Sequence, residues 1–231
     1  MSQPPNFNHL AGPYRWMERL TFGPFLALCR STFLAQAKSL RHALILGDGD
    51  GRFTARLLRA NPEIQVDAVD ISSQMLRALT HRAGAHATRL RTHHADARIW
   101  NPITSDAPGP DFRTGDESVD LIVTHFFLDC LTTEEIQTLA TRLRPTLSPS
   151  ALWIVSEFAI PPNLYGRLVA RPLIAALYRV FGLLTGLAVR TLPDHPSALR
   201  AAGFTLLERR SRLAGLLVSE LWSISPTQSK G

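Results

Sequence analysis

The chain has 231 residues, 45% hydrophobic and 19% charged, which is enough apolar material to bury one sizeable core in a single domain. Its formal net charge is +6, yet lysine occurs only at Lys38 and Lys230, and the arginines are scattered singly or in pairs without a run of five or six. That scatter weighs against a nucleic-acid groove. The two cysteines, Cys29 and Cys130, fall outside any Cys-x-x-Cys or Cys/His spacing, so no metal site is expected and both read as reduced core thiols of a cytoplasmic protein.

Met1 to Asn8 is polar and proline-bearing, unlike a signal peptide. The first strand is expected at Ala43–Leu46, where an apolar run stops at Gly47-Asp48-Gly49-Asp50-Gly51. A helix follows at Arg52–Ala60, a second strand at Val66–Val69 ending beside Asp70, and a second helix at Ser73–Ala83. Thr88–His93 reads as the third strand, Asn101–Glu117 as a loop rich in Pro, Gly and Asp, and Ser118–Thr124 as the fourth strand. Thr133–Leu143 is a helix, with Ile136, Leu139, Ala140 and Leu143 at helical spacing. Ala151–Ser156 is a fifth strand, and Phe204–Ser211 and Leu216–Ile224 close the list of strands.

Leu164–Val189 is strongly apolar, but Arg167, Arg171, Pro172 and Arg179 interrupt it. Its longest uncharged run is too short to cross a bilayer, which takes about 20 residues. A lid over an apolar substrate and a helix resting on a membrane surface both remain open.

Alternating strands and helices require a parallel sheet with crossover helices. The glycine turn allows close backbone approach to a nucleotide, and the following helix points its N–H groups at the ligand. Asp70 stands at the right distance to grip ribose hydroxyls. Counting from Gly49, the third glycine of a dinucleotide fingerprint would fall at Arg52, so that fingerprint fails. Asp48 and Asp50 would repel a pyrophosphate but suit a cationic sulfonium.

Gly47-x-Gly49-x-Gly51 with an acid ending the second strand resembles the class I S-adenosylmethionine-dependent methyltransferases. The resemblance implies an α/β, Rossmann-like doubly wound, mostly parallel seven-stranded sheet with an antiparallel last strand. It also implies a helical cover over 1–40, a cofactor-binding core over 41–160, a helical lid over 161–200 and terminal strands over 201–231, all in one domain. Phe7-x-x-x-Ala11-x-x-Tyr14 is similar to the opening of small-molecule members, including the ubiquinone and menaquinone C-methyltransferases, whose tyrosine lies near the cofactor. Two departures stand out: Ile45 where the family often has an acid, and Arg15 where an aspartate commonly follows the tyrosine.

The resemblance assigns S-adenosyl-L-methionine to Tyr14, Gly47, Asp48, Gly49, Gly51, Asp70, Ile71, Met75, Asp96, Ala97 and His125. Asp96 would accept from the adenine amino group, and Met75 either presses on the adenine or packs in the core. His125, ending the fourth strand, is a general-base candidate because an unperturbed imidazole titrates near neutrality; a structural histidine is the equal alternative. Asp129 would orient His125, bind substrate, or cap the helix starting near Thr132. Glu157, ending the fifth strand, faces the expected pocket, which Phe126, Phe127 and Phe158 would keep apolar and dry. The Asn/Asp-Pro-Pro-Tyr/Phe signature of enzymes that methylate nucleobase amines is absent after the fourth strand, where Thr124-His125-Phe126-Phe127 stands.

The expected activity is methyl transfer to oxygen or carbon of a small, largely apolar acceptor. An RNA or protein methyltransferase and a non-catalytic cofactor-binding or scaffold domain are the alternatives.

Overall fold

A computed structural model describes residues 24–102, 118–185 and 191–225. Tyr14 and Arg15, most of the loop at 101–117 and most of the N-terminal cover lie outside the described residues.

Seven strands form one sheet: β1 (His42–Leu46), β2 (Gln65–Asp70), β3 (Leu90–His94), β4 (Val119–His125), β5 (Leu147–Phe158), β6 (Phe204–Arg212) and β7 (Leu217–Ile224). Their spatial order is β3-β2-β1-β4-β5-β7-β6. The strands β1 to β5 pair in parallel, whereas β7 runs antiparallel between β5 and β6. The expected sheet, with its antiparallel last strand, is the observed one.

The helices are α1 (Phe25–Arg30), α2 (Arg52–Ala60), α3 (Ser73–Ala83), α4 (Thr133–Leu143), α5 (Arg171–Thr185) and α6 (His195–Ala201). The ranges of α2, α3 and α4 match the sequence expectation residue for residue. Each has a strong start: Gly51 before α2, the Ser72 hydroxyl accepting the Met75 amide before α3, and a Thr132/Glu135 capping box before α4.

Both faces of the sheet are covered, which is why its central strands read as unbroken apolar runs. Ala43, Ile45, Leu121, Val123 and Ile154 face Phe33, Phe53, Leu57 and Leu58 on one side. Leu44, Leu46, Ile122, Trp153 and Trp222 face Leu139, Leu143 and Leu199 on the other. Trp153 and Trp222 are opposite one another across β5 and β7. Their buried indole N–H groups donate to Thr124 Oγ1 at 3.0 Å and Glu220 Oε2 at 2.9 Å, so two large rings are buried without an orphaned donor.

The fifth strand is twice the expected length. Its leading Leu147-Ser148-Pro149-Ser150 is polar and separated from the rest by a register shift against β4, so it carries no alternating signal. At the far edge, Leu207 bulges out of β6 between Leu206 and Glu208, a common device on edge strands.

Candidate active site

The site forms at the carboxyl ends of β1 to β5, where an open α/β sheet binds ligands. Gly47 continues the ladder by donating to Val69 O at 3.0 Å, and the chain then turns through Gly47, Gly49 and Gly51 at φ +67°, +59° and +77°. The three glycines serve different ends. A Cβ on Gly47 would strike the Phe127 ring, and one on Gly51 would strike Leu79 of α3. A Cβ on Gly49 would meet nothing within 4 Å, which leaves this glycine facing open space at the centre of the turn.

Two acids of the turn have partners inside the protein. Asp48 Oδ2 accepts the Thr54 amide at 2.9 Å and the Thr54 hydroxyl at 2.7 Å, so it anchors the first turn of α2. Burial pushes its carboxyl up, and the Thr54 hydrogen bonds pull against that shift. Asp50 meets Arg52 at 3.2 Å and Arg82 at 2.8 Å, which ties the turn to α3. The sequence expectation aimed Asp48 at the sulfonium. The structure gives it a helix-start role as well.

Asp70 ends β2, and its Oδ1 accepts the Ser72 amide at 2.8 Å. Burial, reinforced by Asp48, raises its carboxyl to about 6 against the pull of the Ser72 and Gly49 amides. Ile71 and Met75 lie just beyond it, both half-buried, and the Ile71 carbonyl contacts His94 Nε2 at 3.0 Å.

After β3, Asp96 is held by Arg98, whose Nε contacts both carboxylate oxygens and whose Nη2 donates to Oδ2 at 2.6 Å. Burial alone would raise Asp96, but the Arg98 hydrogen bonds outweigh it and hold the carboxyl below its ordinary value. From α4, Arg142 donates to the carbonyls of Ala97 at 2.7 Å and Arg98 at 2.8 Å. The adenine role foreseen for Asp96 therefore has to be shared with an internal ion pair.

Of the two readings of His125, base or structural histidine, the surroundings favour the structural one. Only 3% of it is exposed, neither ring nitrogen has a hydrogen-bond partner among the described residues, and its ring stands edge-on to Phe53 at 4.5 Å. Burial, with the Arg30 charge adding to it, drops the imidazole well below its ordinary value. It is neutral at physiological pH, not poised near it, and Asp129 does not orient it.

Phe126 follows with φ +54°, a conformation costly for a bulky residue. Its amide donates to Ser156 O at 2.7 Å, and Glu157 Oε1 accepts the amides of Phe127 at 3.0 Å and Leu128 at 2.8 Å. Glu157, 1% exposed, is therefore the clamp that holds this strained turn. The rings of Phe126 and Phe158 meet at 5.1 Å, while Phe127 packs on Gly47 and the core.

The turn Leu128–Cys130 brings Asp129 and Cys130 beside Glu157, under α5. Tyr178 of α5 donates to the Asp129 carbonyl at 2.9 Å, and the Cys130 thiol to Asp129 Oδ1 at 3.5 Å. Burial lifts all four groups: Asp129 to about 6, and Glu157, Cys130 and Tyr178 well up, with the Asp129 charge adding to the rise of the other three. Glu157 Oε2 is buried and has no partner among the described residues. Asp129 does not cap α4, since Thr132 performs that task. Tyr178 was legible only as a polar tip in an apolar segment.

The arginine excess is largely engaged within the fold. Arg89 donates to the carbonyls of Leu58, Asn61 and Ile64, Arg144 to Ala202 O, and Arg209 and Arg210 meet Glu220 and Glu208.

A family model described as a methyltransferase domain matches residues 44–152. Among solved structures, the S-adenosylmethionine-dependent methyltransferase SibL in its apo form has a TM-score of 0.64 at 21% identity, over 97% of this chain and 63% of its own. An O-methyltransferase family protein from Burkholderia thailandensis has a TM-score of 0.64 at 17% identity, over 97% and 65%. An O-methyltransferase family 2 protein from Planctomyces limnophilus, in complex with apigenin, has a TM-score of 0.57 at 17% identity, over 80% and 50%. This chain spans less than two thirds of the length of each of the three. No curated protein matches the sequence.

Proposed function

We propose that the chain is a class I S-adenosylmethionine-dependent methyltransferase that methylates oxygen or carbon of a small, largely apolar acceptor, a reading supported by the methyltransferase-domain model that matches residues 44–152. The observation that carries the reading is the open glycine turn at Gly49 beside Asp70, at the carboxyl ends of two parallel neighbours. The residues present fit S-adenosylmethionine. Asp70 keeps acceptor capacity for ribose hydroxyls, because a carboxylate has about four lone-pair sites. Gly47, Asp48 and Gly51 shape the turn, while Ile71, Met75, Asp96 and Ala97 flank the adenine end. Tyr14 is assigned to the cofactor by resemblance alone.

Bound there, S-adenosylmethionine supplies an activated methyl group on a cationic sulfur. The protein's part is to align the acceptor, exclude water and remove a proton. Of the three catalytic candidates, Asp129 is proposed as the base: raised to about 6, it is ionised at neutral pH yet close enough to it to take a hydroxyl proton. Glu157 clamps the turn that carries Asp129, and Phe126 and Phe158 exclude water. His125, neutral and without a polar partner among the described residues, is proposed as structural. The apigenin bound to one structural neighbour is a phenol, and phenols and quinols head the acceptor panel.

The RNA or protein alternative loses much of its motive, because so many arginines have internal partners. A cytoplasmic location is part of the proposal; among the described residues, no helix is long and apolar enough to cross a membrane.

Calorimetric titration with S-adenosylhomocysteine, with NAD as control, tests the cofactor half. Binding of the first alone, lost in Asp70→Ala, is the expected result. Equal affinity in Asp70→Ala overturns the site. Cofactor affinity without turnover on the acceptor panel favours the non-catalytic alternative.

A further inference from the structure

A π-helical turn, Gly166–Ala170, runs straight into α5 over the site, and the solvent face of this helical run is largely apolar. Gly166, Ala170, Ile174 and Tyr178 form the row that is buried against the protein. On the outer side, one row carries Leu164, Leu168, Pro172 and Ala176, and the neighbouring row carries Arg167, Arg171 and Arg179, all exposed. Leu164 and Leu168 are 71% and 73% exposed, and Val169 and Ile160 add to the same end. An ordinary surface helix puts polar residues here. From Ala159 to Pro193 the chain contains arginines but not one Asp or Glu.

The segment is also firmly seated. The Gly166 amide donates to Asn163 Oδ1 at 2.8 Å, and a Cβ on Gly166 would strike the Pro161 carbonyl. Tyr178 ties the other end to the Asp129 carbonyl at 2.9 Å. The outward leucines are therefore presented by a fixed helix, not by a floppy loop.

We propose that this outer face, Leu164 to Arg179, rests on an anionic lipid surface. Apolar side chains beside arginines, in a segment without a carboxylate, are the pattern of a helix lying in the headgroup region: leucines enter the acyl boundary while guanidinium groups meet lipid phosphates. The face is one continuous helical run with a one-signed charge, which suits a fluid anionic plane. A second copy of the chain would set arginine against arginine. The inference does not depend on the methyl-transfer reading, and its test reads no methylation.

The test is co-sedimentation of the full chain with vesicles of phosphatidylcholine alone and of phosphatidylcholine mixed with phosphatidylglycerol. The wild type is expected to bind the mixed vesicles roughly tenfold or more tightly than the neutral ones, and salt should weaken the difference. The Leu164→Asp/Leu168→Asp double variant should lose binding while thermal unfolding and S-adenosylhomocysteine titration stay unchanged, since both leucines are exposed. Arg167→Gln/Arg171→Gln should weaken binding to the anionic vesicles by roughly tenfold. Absence of wild-type binding overturns the proposal, as does binding that ignores all four substitutions. A wild-type dimer that the leucine variant dissolves, with no vesicle binding, also overturns it and identifies the face as a subunit contact.

Discussion

Glu157 Oε1 accepts the Leu128 amide at 2.8 Å, with the Phe127 amide on the same oxygen at 3.0 Å. One buried carboxyl thus holds the turn that carries Asp129 and Cys130, although it lies on the next strand. Glu157→Ala leaves two buried N–H groups without an acceptor, a loss of about 2–4 kcal/mol. Glu157→Gln retains an acceptor oxygen and should lose much less. Denaturant unfolding of the two variants distinguishes a clamp from a base; comparable loss of turnover in both, with stability intact, would favour the base.

The raised carboxyl of Asp70 gives a pH dependence whose sign can be worked out. An ionised Asp70 accepts ribose hydroxyls, and a proton on it competes. Affinity for S-adenosylhomocysteine should be level well above about 6 and fall roughly tenfold per pH unit below it. Stability runs the other way. The folded protein holds this proton to a higher pH than the ordinary 3.8, so the contribution of Asp70 is best below that value and declines as pH rises through about 6. Asp70→Asn should therefore unfold a few degrees higher than wild type under alkaline conditions, lose that advantage in acid, and bind the ligand less well throughout.

His125 offers a cleaner separation. Two ring nitrogens that have no partner among the described residues cost free energy in an apolar setting, so His125→Leu should stabilise the fold by about 1 kcal/mol. If Asp129 is the base, the variant keeps its turnover, and the wild-type pH–rate profile has no inflection that disappears with the imidazole. A stable but inactive His125→Leu would return the residue to the reaction.

Gly49 and Gly51 should respond differently to the same change. Gly49→Ala meets no atom and costs only the left-handed conformation, about 1–2 kcal/mol, but places a methyl where the ligand approaches. Gly51→Ala adds a collision with the Leu79 backbone, so α2 and α3 must separate at a further cost of about 1–3 kcal/mol. Paired unfolding and ligand titrations should show Gly49→Ala as chiefly a binding defect and Gly51→Ala as chiefly a folding defect.

Much of this fold was legible because each local signal agreed with the global arrangement. Capping residues and periodicity gave α2, α3 and α4 to the residue, and buried runs gave the strands to within a few positions. Legibility ended where the deciding contact was long-range. Nothing near Asp48 in the sequence marks it as the partner of Thr54 more than as a ligand group. Nothing near Glu157 says that its oxygen serves amides 29 and 30 residues earlier. The imidazole of His125 could be placed at a strand end, but its burial against Phe53 depends on how α2 docks. The hydroxyls of Ser156 and Ser219, which both donate to the Cys29 carbonyl at 3.3 and 3.0 Å, close the end of α1 from two strands that are far away in the chain.

The position of β7 has a consequence for how the molecule comes into being. This final strand sits inside the sheet, between β5 and β6, so during synthesis five parallel strands can assemble while one flank stays raw and β6 waits with no neighbour. Completion depends on the last part of the sheet to leave the ribosome, inserted between two earlier pieces, and until then the exposed flank of β5 invites pairing with other chains. A chain cut before Leu217 would lose two strands rather than one, since β6 has no other neighbour among the described strands.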